Sequence, residues 1–349
     1  MMSIEQQSLS KLGIQLRFLL DWAQEKRISF EATTADVCFN IVIPETKTKQ
    51  LSYCEYLLHL QSDRESNAVV GEASVFISHA WKYKFIEVLN ALEAHFSSEP
   101  DIIIWFDIFS NNQHKTLDLD FNWWATTFKS AIISFGRTVM VLAPWNDPIP
   151  LTRGWCVWEL YCSILGKEEG SRFEIALSSE SESQFVHDMD NNAVVLIGKM
   201  LVTINCRNSQ CTKTEDPERI QTAIENTIGH LELNKAIFEL IGDWVIKRYS
   251  EESESRSANL GKTHKSTIIS LNNLALLYRF QGKYELGEEM LQECLQLLEA
   301  TLGKTHPDTL TTMNNLASSY TDRGGRFIQG MYKTPRGNVR KGSFIYFEF

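Results

Sequence analysis

From Ser8 to Lys26 the residues Leu9, Leu12, Leu16, Leu19, Leu20 and Ala23 recur at three- and four-residue intervals with charges between them, a spacing that predicts an amphipathic helix. Thr33 to Ile43 is dense in β-branched and apolar residues and stops at Pro44, which predicts a short strand or extended segment, followed by a polar loop over 45–50 and a helix over 53–60. From Ala73 the pattern becomes regular. Short apolar runs over 73–78, 102–106, 138–143 and 173–177 alternate with helical stretches over 82–96, 121–134 and 155–165. A polar loop is expected from Asp107 to Asp120, and one more apolar run over 193–204, interrupted by Gly198, reads as a last strand. This alternation predicts an α/β fold, an open parallel sheet with helices on both faces.

Later the period changes. Residues 217–228 and 231–247 have helical spacing, and the first of these stretches opens with Asp216, Pro217 and Glu218, where the helix dipole favours acids and the fixed φ of proline fits the first turn. The acidic stretch 251–257 suits a linker. Beyond it, Leu260-Gly261-Lys262-Thr263-His264 returns as Leu302-Gly303-Lys304-Thr305-His306, an offset of 42 residues, and Leu271-Asn272-Asn273-Leu274-Ala275 returns at the same offset as Met313-Asn314-Asn315-Leu316-Ala317. Self-similarity at such a period predicts stacked helical hairpins, an all-α module. The chain thus divides into an N-terminal extension over 1–66, an α/β domain over 67–205, a helical connector over 206–257, repeats over 258–325 and an irregular tail over 326–349.

Composition narrows the partners. With 349 residues, 43% of them hydrophobic and 22% charged, the chain can build several packed cores. Its net charge of -10 and lack of a clustered basic surface exclude nucleic acid as a partner. No run approaches a membrane span and the N-terminus lacks the pattern of a secretory signal, so a soluble, cytoplasmic protein with no membrane partner is expected. Seven cysteines spread from Cys38 to Cys294 suit reduced core thiols. Cys206 and Cys211 have no second ligand pair nearby, so no metal site is expected.

Ligands of doubly wound sheets bind outside the carboxyl ends of the strands. Those ends carry Ser78, His79 and Trp81 after the first strand, Asp107 and His114 after the second, and Trp145 and Arg153 after the third, with Trp155 and Glu159 at the start of the next helix. Helical spacing puts Trp155 and Glu159 on one face. Glu159 fits two roles, a working carboxylate or a structural acid paired with Arg153. Arg153 fits a fork donor to phosphate or a salt bridge, and His79 and His114 fit satisfied edge histidines or proton carriers. Trp81, Trp145 and Trp155 suit pocket walls, whereas Trp123, Trp124 and Trp158 suit the core.

Two resemblances rest on these residues. The repeat, with Leu302-Gly303-Lys304-Thr305-His306-Pro307-Asp308-Thr309-Leu310, Asn314-Asn315-Leu316-Ala317, Tyr278 and Gly282-Lys283-Tyr284, resembles the tetratricopeptide repeats of kinesin light chains, and departs from them at Gly287, where the family carries a packed alanine. That resemblance implies a surface for protein or peptide partners. Residues 73–205 resemble a divergent Toll/interleukin receptor (TIR) domain through Phe76-Ile77-Ser78, Trp105-Phe106-Asp107, the run from Val139 to Pro144, and Trp155-Cys156-Val157-Trp158-Glu159-Leu160, which is similar to the plant pattern Trp-Cys-x-x-Glu-Leu. The likeness departs at His79-Ala80-Trp81, where the family has Tyr or Phe then Arg, and in the absence of glycine from Ile108 to Asp120.

What the TIR resemblance implies is a flavodoxin-like sheet, self-assembly, and Glu159 as the catalytic residue that cleaves the nicotinamide glycosidic bond of NAD. NAD is then a substrate, no cofactor is implied, and Ser78, His79, Trp81, Asp107, Trp145, Arg153 and Trp155 line its site. Two functions follow for the whole chain: an NAD hydrolase switched by assembly through its repeats, or a non-catalytic signalling adaptor whose two domains only bind partners.

Overall fold

The apolar runs after Ala73 pair into one sheet, seen in a computed structural model that describes residues 9–61, 69–115, 123–211 and 216–331. Its strands among those residues are β1 (Leu12–Gln15), β2 (Val70–Glu72), β3 (Val75–Ser78), β4 (Ile103–Trp105), β5 (Arg137–Val141) and β6 (Arg172–Ala176), in the order β2-β1-β4-β3-β5-β6. β3 runs parallel to β4 and β5, and β5 to β6, whereas β1 is antiparallel to both β2 and β4. The sheet is therefore mixed where a wholly parallel one was expected. Taken in chain order, its parallel strands lie as second, first, third, fourth, the doubly wound order whose switch point falls between β3 and β5.

The helices of this part are α1 (Leu16–Glu25), α2 (Thr34–Val37), α3 (Ile43–Thr46), α4 (Tyr53–Gln61), α5 (Phe85–His95), α6 (Asp107–Ser110), α7 (Lys129–Phe135), α8 (Gly154–Leu165), α9 (Ser179–Thr203), α10 (Asp216–Glu225) and α11 (His230–Leu260). Period-two alternation along β3 feeds two cores. On one face Val75 and Ile77 join Leu19, Trp22, Phe85, Leu89 and Phe109. On the other, Phe76 stacks on Trp105 at 5.1 Å and meets Phe128 and Phe135.

Four local readings are corrected. The helix expected from Ser8 starts only at Leu16, because Leu12–Gln15 is β1, whose Ile14 is wholly buried and whose backbone pairs with strands on both sides. The strand expected over 33–43 is helical: Thr33 caps α2 through a reciprocal box in which Thr33 Oγ1 accepts from the Asp36 amide at 3.1 Å and Asp36 Oδ2 from the Thr33 amide at 2.9 Å. Its run passes Pro44 through a π-helical turn, Cys38–Val42, which widens the backbone ahead of the ring. The expected last strand lies inside α9, which is kinked at Asn192; Phe185 and Met189 before the kink and Ala193 and Ile197 after it are each buried at a four-residue interval, a helical spacing. The polar loop from Asp107 begins as one helical turn, α6, and its residues 116–122 lie outside the described residues.

The chain forms two compact units, residues 1–249 and 250–349. Residues 9–61, expected as an extension, belong to the sheet unit because β1 lies between β2 and β4. The stretch from Cys206 to Tyr249 belongs to it as well. Tyr161 of α8 donates from its hydroxyl to Thr227 Oγ1 at 2.8 Å, and the amide of Gly154 to the carbonyl of Gln210 at 2.8 Å.

The second unit contains α12 (Lys265–Phe280), α13 (Tyr284–Thr301) and α14 (Pro307–Met331), together with the end of α11. The linker expected over 251–257 is helical, stabilised by a buried bond of 2.9 Å between Ser253 and Ser270 and by Arg256 donating to Glu252 one turn away. The repeat is visible atom by atom. His264 Nδ1 accepts from the Ser266 amide at 3.2 Å, and its counterpart His306 from the Asp308 amide at 3.2 Å. Gly261 and Gly303, which precede them, share a φ of 89°. The helix α14 continues to Met331, past the expected start of the tail, and residues 332–349 lie outside the described residues.

Gly287, the departure from the repeat pattern, has a local cause: a Cβ there would stand 2.8 Å from the carbonyl oxygen of Ala275 on α12. We expect Gly287→Ala to destabilise this unit by about 1–3 kcal/mol through overpacking. That sign opposes the ~1 kcal/mol gain that alanine brings to a helix interior. Urea titration of the full chain checks it, and a stabilised variant would show that α12 and α13 can part without loss.

Candidate functional site

The carboxyl ends of β3 and β5 meet α8, and here the sequence-derived cluster is partly assembled. Ser78 ends β3 and is buried, and its Oγ donates to Glu159 Oε2 at 2.6 Å. Glu159 is itself only partly buried. Its turn of α8 is tied to the sheet by Ser163, whose Oγ donates to the Glu159 carbonyl at 2.8 Å and lies in hydrogen-bond contact with Thr138 Oγ1 of β5 at 3.0 Å. A carboxyl is thus fixed at the switch point of the parallel strands, between the two ends where such folds hold ligands.

Asp107 stands at the end of β4, where Trp81 Nε1 donates to its Oδ2 at 2.5 Å and the Ile108 amide to its Oδ1 at 2.8 Å. Trp81 also meets Phe39 edge-on at 6.1 Å. The negative charge of Asp107 acts on Glu159, His79 and Cys156, so these groups share one electrostatic neighbourhood. His79 is 5% exposed, its ring edge-on to Phe106 at 4.7 Å, and its carbonyl accepts from Cys156 Sγ at 3.4 Å. Burial lowers its pKa and keeps the imidazole neutral.

Burial also dominates at Glu159. It pushes the carboxyl up to about 8 against the opposing bond from Ser78, and Asp107 adds to the rise. The folded chain therefore binds a proton between the ordinary value of 4.5 and about 8 that the unfolded chain has released, and stability falls as pH rises through that window. Glu159→Gln removes this dependence. In urea titrations the variant should gain on the wild type by up to ~4 kcal/mol between about pH 5 and about pH 8.5. A gap that does not change with pH would mean an ordinary carboxyl.

Other expected members lie elsewhere. Trp145 is 1% exposed, packs on Phe185 of α9 at 4.9 Å and donates to Asp188 at 3.0 Å, so it is core and not a pocket wall. Trp155 donates to Asp216 at 3.1 Å, which turns its polar edge towards α10 although helical spacing keeps it beside Glu159. Arg153, at the start of α8, acts on the thiols of Cys156 and Cys211, while Ser78 and Asp107 act on Glu159. His114 bonds Thr46 Oγ1 at 2.8 Å, the edge role foreseen for it. Trp158 is buried against Tyr161 as expected, Trp123 is partly buried, and the side chain of Trp124 is outside the described residues.

Phe106 and Cys156 were read only as parts of motifs and not as contributors to the site, and Ser163 went unread. Ser163 had a signal, since it lies one turn after Glu159 on the same helix. Six of the seven cysteines are buried, in keeping with core thiols. Among the described residues no helix is long and apolar enough to cross a membrane.

Comparison with known proteins bears on the second unit. Residues 248–327 match the tetratricopeptide repeat family, which supports a protein-binding module in this part of the chain. No curated protein matches the chain.

Proposed function

We propose that the chain couples recognition of a protein or peptide partner by its tetratricopeptide repeats to hydrolysis of the nicotinamide glycosidic bond of NAD at Glu159, in the cytoplasm, as the resemblance of residues 73–205 to TIR domains implies. The observation that carries this reading is a partly buried carboxyl at the switch point of the parallel strands, held by Ser78 at 2.6 Å.

The chemistry asks little more of the protein. The bond from the anomeric carbon to the pyridinium nitrogen breaks, the nitrogen keeps the electron pair, and nicotinamide leaves as a neutral molecule that no acid must protonate. A carboxylate beside the ribosyl carbon stabilises its oxocarbenium-like charge; a water oxygen then bonds to that carbon and the water gives up a proton. The arriving pyridinium cation favours ionised Glu159 and draws its raised pKa back down. Trp81, fixed by Asp107, offers an aromatic face to the cation. Self-assembly of the α/β unit, triggered through the repeats, would bring the site into its active form.

A second reading has one observation in its favour. With a pKa of about 8, Glu159 is mostly neutral at physiological pH, which also suits a structural acid in a non-catalytic adaptor. Incubating the full chain with NAD on a clustering support and following nicotinamide separates the two. Release by wild type and none by Glu159→Ala supports the hydrolase; no release from clustered wild-type protein leaves the adaptor.

A further inference from the structure

His79 Nε2 is a buried side-chain nitrogen without a hydrogen-bond partner among the described residues. An unpaired buried polar atom weakens a fold, and one that persists calls for an explanation, a partner from outside the chain among them. Its place is informative. His79 directly follows Ser78, the anchor of Glu159, and its ring packs on Phe106 at the end of β4. Asp107 acts on both the imidazole and Glu159, and burial keeps the imidazole neutral. A neutral, buried imidazole under the influence of Asp107 suits a neutral or cationic ligand carrying a hydroxyl. A hydroxyl both donates and accepts, so it satisfies Nε2 in either tautomer of the ring.

We propose that His79 is a ligand-binding residue of the Glu159 site, whose Nε2 takes a ribose hydroxyl of a cationic nucleoside, the nicotinamide riboside half of NAD. This rests on the NAD-cleaving reading of the site. The pyrophosphate of the substrate lies away from His79, and no bond is made or broken at the imidazole.

The test uses the full chain and two variants. His79→Phe keeps a ring of similar size but removes the nitrogen, so its ligand-free thermal midpoint should rise by roughly 2–4 °C, while kcat/KM for nicotinamide release from NAD falls at least ~10-fold. His79→Gln, which returns a polar group near the same place, should recover most of that loss. Nicotinamide riboside should raise the midpoint of wild type and not of His79→Phe, and inorganic phosphate should move neither. A lower midpoint for His79→Phe would mark a structural histidine and overturn the proposal, as would unchanged kinetics of that variant beside an active wild type. Wild-type protein that neither releases nicotinamide nor responds to nicotinamide riboside overturns the NAD reading itself, and this proposal with it.

Discussion

Glu159→Gln should lower nicotinamide release from NAD by at least ~100-fold, the usual loss when a group that stabilises developing charge is removed. Glutamine keeps the shape of the side chain and can still accept from Ser78, which donates to Oε2 at 2.6 Å in the wild type, so the fold around α8 stays in place. What disappears is the negative charge beside the ribosyl carbon. The wild type carries a second signature of the same group. Because burial holds the free carboxyl at about 8, kcat/KM should climb as pH rises through that value. The profile of kcat, which reports the complex with NAD, should rise at lower pH, since the pyridinium favours the carboxylate. Equal release by wild type and variant, or a rate independent of pH from about 5 to about 9, would remove Glu159 from the chemistry.

Gly13→Ala is expected to give the largest loss of stability, on the order of 3 kcal/mol. Gly13 lies in β1, opposite Gly71 of β2, and a Cβ there would stand 2.5 Å from the carbonyl oxygen of Ile104 and 2.6 Å from the Cβ of Ala73. Backbone in a paired strand cannot yield as a flexible side chain can, so β1 must shift from β4 and expose part of the Ile14 contact. Gly198 makes the control: it sits in α9 with open space for 4 Å around the place an alanine Cβ would take, and alanine there should stabilise by up to ~1 kcal/mol. Denaturant midpoints of the two variants should move in opposite directions. A neutral Gly13→Ala would mean that β1 is not closely paired in solution.

Much of the site could be read without coordinates because its members lie at strand ends, where a run of apolar residues stops and polar ones begin. Ser78, His79 and Asp107 were read that way and Glu159 from its place near the start of the next helix, and the structure ties Ser78 to Glu159 and lets Asp107 act on both Glu159 and His79. Trp145 was misplaced for the opposite reason. Its neighbours on the chain are loop-like, and only the packing of α9 against it, through Phe185 and Asp188, makes it core.

Periodicity alone was enough for the four parallel strands, for the helices α5, α7 and α8 and for the repeat, because each of these elements buries a face whose spacing matches its own backbone period. The repeat is the clearest case: a 42-residue offset between Leu260 and Leu302 suffices to place His264 and His306 at equivalent helix starts. Tertiary structure decided the rest. A stretch as short as Leu12–Gln15 becomes a strand only because β2 and β4 supply partners on both sides, and Thr33–Thr46 becomes helical because a capping box outweighs the β-branched residues that follow it. The pKa of Glu159 was decided there too, since it depends on how much water α8 and the strand ends exclude, and exclusion of water is a property of packing that no local spacing encodes.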